Sequence, residues 1–272
     1  MQFRPCIDIH NGMVKQIVGS SLRDAGDTAE ENFVASKDAS FFAGLYRDHQ
    51  IEGAHVILLN GKDSPHYEKT KQQACAALAA YPHHMQAGGG ITLENAQDFL
   101  DAGADKVIVT SYVFRDGGVC EENLRNLSRE IGRNRLVLDV SCREKNGAYY
   151  IVTDRWQKFT NVTLNHDTLD YFAGYCSEFL VHAVDVEGKS CGIEENLVRL
   201  LGEWNRIPVT YAGGVHSYED LEKLDMLGRG RIHVTIGSAL DLFGGEMRFE
   251  EVLQWCRSRE GCIRSVMDQD AY

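Results

Sequence analysis

The feature that most constrains the fold is an alternation of short apolar runs with longer amphipathic stretches. Runs such as residues 56–59 and 136–138 are apolar without alternating with polar residues. Such runs are typical of parallel strands that are covered on both faces. The sequence therefore predicts a parallel sheet whose strands are connected by helices.

The predicted elements make eight successive β/α steps. Strands are predicted at residues 4–9, 55–60, 85–87, 106–109, 135–140, 178–185, 208–212 and 232–236. The helical candidates include residues 64–80, 93–102, 121–131, 166–175, 194–204, 218–227 and 249–259. Eight steps without a linker-like segment predict a single α/β domain, a closed (β/α)8 TIM barrel over residues 1–262, with a flexible tail over residues 263–272.

A pair of small-residue turns after predicted strands recurs in each half of the chain. The first half has Gly89-Gly90 with Ser111, and the second half has Gly213-Gly214 with Gly237-Ser238. Related positions lie 124 to 131 residues apart, which predicts a barrel built from two half-barrel repeats. Because such turns present backbone N–H groups to an anion, they predict two phosphate sites and a ligand with a phosphate at each end.

Two aspartates stand at corresponding strand ends. Asp8 lies one residue before the end of the first predicted strand, and Asp139 one residue before the end of the fifth. These strands face each other across a barrel, and active sites of such barrels lie at the carboxyl ends of the strands. Either aspartate alone could cap a loop or pair with a basic residue. The symmetric pair instead favours an acid and a base acting on one small molecule.

One segment interrupts the β/α pattern. Residues 141–153 contain the turn signal Asn146-Gly147 followed by an alternating run, which predicts a β-hairpin inserted after strand 5. Trp156 follows directly. It is either a core aromatic or a movable platform that stacks on a planar base above the site.

Composition excludes several classes of partner. The net charge of −12 argues against nucleic acid or an anionic membrane. No apolar run approaches the roughly 18 residues needed to span a bilayer. The eight cysteines form no C-x-x-C pair, and no histidine has metal-ligand spacing, so we expect reduced thiols and no metal. The chain enters strand-like sequence at once, from which we expect a cytoplasmic protein, or a plastid protein whose transit peptide was removed.

Several motifs in order resemble one enzyme family. They are Arg4-Pro5-Cys6-Ile7-Asp8-Ile9, Gly88-Gly89-Gly90-Ile91, Leu138-Asp139-Val140-Ser141-Cys142-Arg143, Asp154-Arg155-Trp156-Gln157, Val186-Glu187-Gly188-Lys189 and Ile236-Gly237-Ser238-Ala239. Over residues 3 to 260 the chain resembles the histidine-biosynthesis isomerases that act on phosphoribosylformimino-5-aminoimidazole carboxamide ribotide. The Ser-Cys-Arg motif and the Trp-Gln that follows are similar to the eukaryotic branch.

The resemblance implies an Amadori rearrangement of a bisphosphate aminoaldose to an aminoketose, without metal or cofactor. Asp8 would be the base and Asp139 the acid, while Trp156 would stack on the carboxamide-imidazole ring. One phosphate would be held by Gly19, Gly89, Gly90 and Ser111. The other would be held by Gly188, Gly213, Gly214, Gly237 and Ser238.

Three further residues are candidates for substrate binding: Arg143 and Glu187, which lie in these motifs, and His182, which lies outside them. His182 and Glu187-Gly188 stand where bacterial members of the family commonly have a Thr and an Asp-Gly. A role for His182 in positioning the substrate is therefore a hypothesis of its own.

Three other functions remain open on the sequence. The sister cyclase of the same pathway shares the barrel, the half repeats and both aspartates, but works with a glutaminase that supplies ammonia. A bifunctional isomerase could also serve tryptophan synthesis. A barrel that only binds a phosphorylated metabolite would need neither aspartate. Because one barrel supplies the whole site, we expect a monomer.

Overall fold

The computed structural model describes residues 1–17, 21, 29–154, 156–187 and 192–267, with only the backbone described over residues 261–267. The strands are β1 (Cys6–His10), β2 (Met13–Ile17), β3 (Glu31–Val34), β4 (Ala54–Leu58), β5 (Met85–Gly88), β6 (Lys106–Val109), β7 (Phe114–Arg115), β8 (Gly118–Val119), β9 (Leu136–Asp139), β10 (Cys142–Lys145), β11 (Ala148–Thr153), β12 (Lys158–Thr163), β13 (Glu178–His182), β14 (Val209–Ala212) and β15 (Ile232–Val234). The helices are α1 (Ala39–Asp48), α2 (Tyr67–Ala80), α3 (Ala96–Asp101), α4 (Glu121–Ile131), α5 (His166–Ala173), α6 (Glu195–Trp204), α7 (Tyr218–Leu227) and α8 (Phe249–Met267).

Eight of the strands form a closed parallel barrel. They are paired in the order β1, β4, β5, β6, β9, β13, β14 and β15, each parallel to the next. A parallel bridge between Phe3 and Val234 joins the last strand to the segment before the first. The backbone N–H of Arg4 donates to the carbonyl of Val234 at 2.8 Å, which completes the ring. The predicted TIM barrel is confirmed.

The side chains of the barrel strands divide between two cores. Val137 and Leu180 point into the barrel and pack with Ile108, while Leu136 and Leu138 belong to the large core between the sheet and the helices. Alternate residues of a strand point to opposite faces of the sheet. Because both faces are covered here, both sets of residues are apolar and the strand sequences show no alternation. The barrel therefore carries one core inside and a larger core around it.

Two of the helices begin with a capping box. Asn165 and Thr168 form a capping box at the start of α5, and Ser217 and Asp220 form one at the start of α7. Each box satisfies backbone N–H groups that the first helical turn leaves unpaired. The last helix, α8, ends at Met267 rather than at residue 259. The flexibility of the predicted tail stays a prediction.

The segment after β9 is larger than the predicted two-stranded hairpin. β10, β11 and β12 form a three-stranded antiparallel sheet, with Asn146 and Gly147 in the turn between the first two. Both turn residues have positive φ, 56° and 79°, as a two-residue hairpin turn requires. The third strand is additional to the sequence prediction. The sheet leads directly into Trp156, which precedes β12.

A second hairpin was not predicted. β1 continues into β2 through Asn11 and Gly12, whose φ values are 53° and 73°. This turn folds β2 back over the barrel and brings the side chain of Gln16 toward β1.

Within the described residues, no helix is long and apolar enough to cross a membrane.

Candidate active site

A cavity of about 950 Å³ opens at the carboxyl ends of the barrel strands. Its lining comes from the ends of all eight barrel strands and from the loops that follow them. The predicted site residues in this lining are Asp8, Gly89, Gly90, Ser111, Asp139, Trp156, His182, Glu187, Gly213, Gly214, Gly237 and Ser238. The volume lies at the upper end of the usual range for small-molecule sites.

Asp8 lies at the floor of the cavity, in the middle of β1. The Gln16 side-chain amide donates to Oδ2 of Asp8 at 3.4 Å, and the Cys6 thiol donates to the same oxygen at 3.7 Å. Burial raises the pKa of Asp8 to about 6, partly offset by attraction to His182 and increased by the nearby charge of Glu187. Because the long donor distances stabilise the charge only weakly, Asp8 is a carboxylate that takes up a proton near neutral pH.

Asp139 has a different environment. Its Oδ1 accepts hydrogen bonds from the backbone N–H of Ser141 at 2.9 Å and from the Ser141 hydroxyl, and its Oδ2 accepts from the Thr110 hydroxyl at 3.0 Å. β1 and β9 are four positions apart in the ring of eight strands. The two carboxylates therefore enter the cavity from opposite walls, one weakly held and one firmly held.

Two aromatic side chains of the cavity lining lie close together. The ring of His182 is 5.0 Å from that of Trp156, centroid to centroid, at an interplanar angle of 44°. Trp156 has a φ of 65°, a left-handed conformation that is unusual for a bulky residue. Such conformations cluster at ligand-binding positions. Trp156 is therefore in the cavity wall rather than in the core.

The two glycine turns have matching surroundings. At Gly89 a β-carbon would overlap the backbone carbonyl of Leu58, at the end of the second barrel strand. At Gly213 it would lie 2.9 Å from the carbonyl of Ala183, just past the sixth. Both residues have positive φ, 96° and 116°. Only glycine fits such a position, and the two positions are related by half of the barrel.

The loops after the glycine turns are fixed by side chains. Asn95 donates to the carbonyl of Gly90 at 3.1 Å and accepts from the backbone N–H of Thr92 at 2.8 Å. In the second half, the imidazole of His216 contacts the carbonyl of Gly214 at 3.2 Å, and Asp220 accepts from the backbone N–H of His216 at 3.1 Å. Each turn is thus held open toward the cavity before the next helix begins.

Three predicted site residues are not brought to this cavity by the described structure. Arg143 lies outside the cavity lining, and its Nε donates to Oδ1 of Asp185 at 2.8 Å. Its guanidinium is also 5.4 Å from the centre of the Phe159 ring. These two contacts hold the Arg143 side chain outside the cavity lining. Gly19 and Gly188 lie outside the described residues.

Glu187 adds a third carboxyl group to the cavity. Burial raises the pKa of its carboxyl, and the positive charge of His182 opposes that increase. Its Oε2 would lie 3.2 Å from a β-carbon at Gly213, so it borders the second glycine turn. A buried carboxyl beside a phosphate-type turn is suited to a hydroxyl or amine of the ligand rather than to the anion itself.

Several residues of the site were missed by the sequence reasoning. Gln16, Thr110 and Ser141 contact one of the two aspartates. His55 lines the floor, and burial lowers its pKa to about 3, so the imidazole is neutral. Ser141 stands beside Asp139 in the Ser-Cys-Arg motif, which was the one signal that could have identified it.

The chain is similar to known proteins over most of its length. A family model described as histidine biosynthesis protein matches residues 2–248. A chloroplastic protein of Medicago truncatula is 49% identical over 259 residues, covering 94% of this chain and 81% of that protein. A protein of Yarrowia lipolytica is 43% identical over 263 residues, covering 93% of this chain and 97% of its own length.

A protein of Saccharomyces cerevisiae is 40% identical over 262 residues, covering 93% of this chain and 97% of its own length. All three relatives are named 1-(5-phosphoribosyl)-5-((5-phosphoribosylamino)methylideneamino)imidazole-4-carboxamide isomerase. The family match spans most of the chain and includes both aspartates and both glycine turns. The chain belongs to the histidine biosynthesis protein family.

Proposed function

We propose that this chain catalyses the reaction for which its relatives are named, the isomerisation of a bisphosphate aminoaldose to an aminoketose. The observation that carries the proposal is the placement of Asp8 and Asp139 on opposite walls of one cavity. An Amadori rearrangement needs one group that gives a proton to the ribose ring oxygen and one that removes the proton from C2′. Two separately held carboxyl groups supply both functions without a cofactor.

The proposed base is Asp8. With a pKa raised to about 6 by burial, it is mostly ionised at pH 7 and still basic enough to accept a proton from carbon. The proposed acid is Asp139, whose Oδ1 is occupied by the two donors of Ser141. A transferable proton on Asp139 therefore belongs on Oδ2, the oxygen shared with Thr110.

The proposed sequence of events has three steps. Asp139 protonates the ring oxygen of the aminoaldose, and the ring opens to a protonated Schiff base. Asp8 then removes the C2′ proton, which gives a neutral enolamine. The enolamine returns to a ketone when C1′ takes up a proton and the C2′ hydroxyl loses one. Proton uptake and release balance over the cycle.

The substrate would lie across the barrel mouth. Gly89, Gly90 and Ser111 are proposed to bind one phosphate, and Gly213, Gly214, Gly237 and Ser238 the other, with the help of Gly19 and Gly188. Gly89, Gly90, Gly213 and Gly214 all have positive φ, and successive backbone N–H groups in turns of this kind favour anion binding. Trp156 and His182 would contact the carboxamide-imidazole ring and the sugar between the phosphates, with Glu187 beside the second glycine turn.

We further propose that one chain is sufficient for activity, since residues of a single barrel line the whole cavity. Arg143 is proposed to act indirectly, because its ion pair with Asp185 braces β10 against the loop after β13. The compartment, cytosol or plastid, stays a prediction.

The deciding experiment assays two activities of the same preparation. Incubation with the bisphosphate aminoaldose is expected to give the ultraviolet absorbance change of isomerisation. Incubation of the aminoketose with ammonia is expected to give no further product. Cyclisation with ammonia in place of isomerisation would instead assign the sister activity. Tight binding of the bisphosphate without either reaction would reduce the chain to a binding barrel.

A further inference from the structure

Ser141 connects the side chain of Asp139 to that of His182. Its hydroxyl donates to Oδ1 of Asp139, lies 3.0 Å from Nδ1 of His182, and accepts from the backbone N–H of His182 at 3.1 Å. Ser141 itself is fully buried. One hydroxyl therefore serves three partners on two neighbouring barrel strands.

The number of hydrogens at the Ser141 hydroxyl decides which ring nitrogen of His182 carries a hydrogen. A serine hydroxyl has one hydrogen and two acceptor lone pairs. The hydrogen is directed to Asp139, and one lone pair accepts the backbone N–H of His182. The remaining lone pair faces Nδ1 of His182 at 3.0 Å, so this nitrogen must carry a hydrogen to make an attractive contact.

Protonation of Asp139 leaves this arrangement unchanged. Oδ1 already accepts from the backbone N–H of Ser141 as well as from its hydroxyl, whereas Oδ2 accepts only from Thr110. We therefore place the proton of the carboxyl group on Oδ2, where Oδ1 continues to accept from the Ser141 hydroxyl. The hydrogen on Nδ1 of His182 is required in both protonation states of Asp139.

We propose that Ser141 is a positioning residue that locks His182 in the Nδ1–H tautomer, so that the neutral imidazole presents Nε2 to the substrate as a hydrogen-bond acceptor. The ligand groups that suit such an acceptor are hydroxyls and amine N–H groups, which the ribose portions of a phosphoribosyl ligand supply. A carbonyl or phosphate oxygen would be repelled. His182 thus distinguishes hydrogen-bond donors from hydrogen-bond acceptors on the ligand.

Several ionisable groups face His182. They are the carboxyl groups of Asp8 and Glu187 in the cavity, that of Asp139 through Ser141, and the imidazole of His55. The tautomer is measured at a pH where the imidazole is neutral, since only the neutral form has two tautomers. In the cationic form both ring nitrogens carry a hydrogen, and the contact between Nδ1 and Ser141 is kept.

The test is the long-range nitrogen–proton NMR spectrum of enzyme labelled with 15N-histidine. The spectrum distinguishes the two neutral tautomers, and the signal of His182 is identified by its loss in His182→Gln. We expect the Nδ1–H pattern in the unmodified protein without substrate. Asp139→Asn is expected to keep this pattern, because the asparagine carbonyl still accepts from Ser141. An Nε2–H pattern in the unmodified protein would overturn the proposal.

Variants of Ser141 separate positioning from folding. In Ser141→Ala the neutral His182 is expected to shift toward the Nε2–H tautomer, with kcat lower by about 10- to 100-fold, the cost of a misplaced contact. Ser141→Thr keeps a hydroxyl and is expected to restore the Nδ1–H pattern and most of the turnover. Ser128→Ala is the matched control. It removes a partly buried hydrogen bond from a serine hydroxyl to the carbonyl of Tyr175, away from the cavity.

The effect on turnover rests on the proposed function, but the tautomer does not. A wrong tautomer in an enzyme that isomerises its substrate contradicts only the role of Ser141. A correct tautomer in a protein without isomerase activity contradicts only the proposed function. If Ser141→Ala keeps both the Nδ1–H pattern and full turnover, Ser141 has no positioning role.

Discussion

At the scale of single residues, the pKa of Asp8 makes the first prediction. If Asp8 is the base, it acts only when ionised, so kcat/KM should rise with pH through a midpoint near 6, the value to which burial raises its pKa. The measurement is kcat/KM as a function of pH, in buffers that hold each pH constant during the assay. A profile that stays flat between pH 5 and 7 would contradict the role of Asp8 as the base.

The same shift predicts an effect on stability. Since the pKa of Asp8 is raised above its unfolded value, the folded state binds the proton more tightly and loses stability as pH rises from about 4 through about 6. The shift corresponds to at most about 3 kcal/mol, and contact with cavity solvent reduces it. Asp8→Asn should therefore raise the free energy of unfolding at pH 8 and change it little at pH 4, as measured in urea.

The matched control for that prediction is Asp38, the exposed N-cap of α1. Its carboxylate accepts from the backbone N–H of Phe41 at 2.9 Å, and this hydrogen bond lowers its pKa. Its contribution has the opposite sign, present above its unfolded pKa and lost as pH falls. Asp38→Asn should give no gain in stability at pH 8. Equal gains for both variants would show that general charge, rather than burial, is responsible.

Sequence reasoning located the two aspartates but not their supporting residues. Asp8 and Asp139 were predictable because the carboxyl ends of barrel strands are fixed by the fold. The contact of Gln16 was not, because it depends on the hairpin between β1 and β2, and the contact of Ser141 with His182 was not, because it joins neighbouring strands that sequence spacing does not show. Arg143 lies in the correct motif, yet its position in β10 places it against Asp185, where the opposite charge holds it.

At the scale of elements, the glycine turns make a prediction with an internal control. Gly89→Ala would place a β-carbon on the carbonyl of Leu58 at a φ of 96°, whereas Gly90→Ala meets no atom of the described residues within 4 Å at a φ of 68°. We expect Gly89→Ala to lower the free energy of unfolding by more than about 2 kcal/mol, and Gly90→Ala by about 1 kcal/mol, in urea unfolding. Equal losses would show that φ alone, without close packing, requires glycine here.

The elements were predicted best where the sequence pattern was local. Residues 121–131 and 218–227 match α4 and α7 at both ends, because Gly132 and Gly228 follow the two helices and Ser217 caps the start of α7. The hairpin at Asn11-Gly12 carries the same turn signal as Asn146-Gly147, but β2 beyond it was missed. β12 was missed for a different reason, since its pairing with β11 is interrupted by a register shift that breaks the alternation.

At the scale of the whole molecule, a buried ionic cluster crosses the inside of the barrel below the active site. Glu178, on β13, pairs with Arg4 before β1, and with Lys106 on β6 at 3.1 Å. It also accepts from Gln86 at 2.9 Å and from Thr210 at 3.1 Å. Four segments of the ring therefore meet at one carboxylate that is 1% exposed.

Glu178→Gln should destabilise the entire barrel. The substitution leaves the buried guanidinium of Arg4 without its charge partner, which typically costs about 3–5 kcal/mol. The loss should appear in urea unfolding as one cooperative transition at lower denaturant. Glu251→Gln, which removes an exposed pair with Arg248 at 2.8 Å, is the control and should cost less than about 0.5 kcal/mol. A small loss for Glu178→Gln would mean that the cluster contributes little to barrel closure.

The closed barrel itself was predictable from eight apolar strands alternating with helices. The ionic cluster was not, since Arg4, Lys106 and Glu178 are far apart in the sequence and each begins or precedes a strand where an exposed residue is normal. The small inner core is equally a property of the closed ring. Long-range arrangement of charge inside the barrel is the part that local pattern cannot specify.

The central claim is that Asp8 and Asp139 act together on one bisphosphate ligand. The most direct test measures turnover and ligand affinity of Asp8→Asn and Asp139→Asn beside the unmodified protein. The account predicts isomerisation by the unmodified chain, a fall in kcat of about 10²- to 10⁴-fold in each variant, and nearly unchanged binding of the bisphosphate, because the glycine turns remain intact. Full turnover by either variant would contradict it.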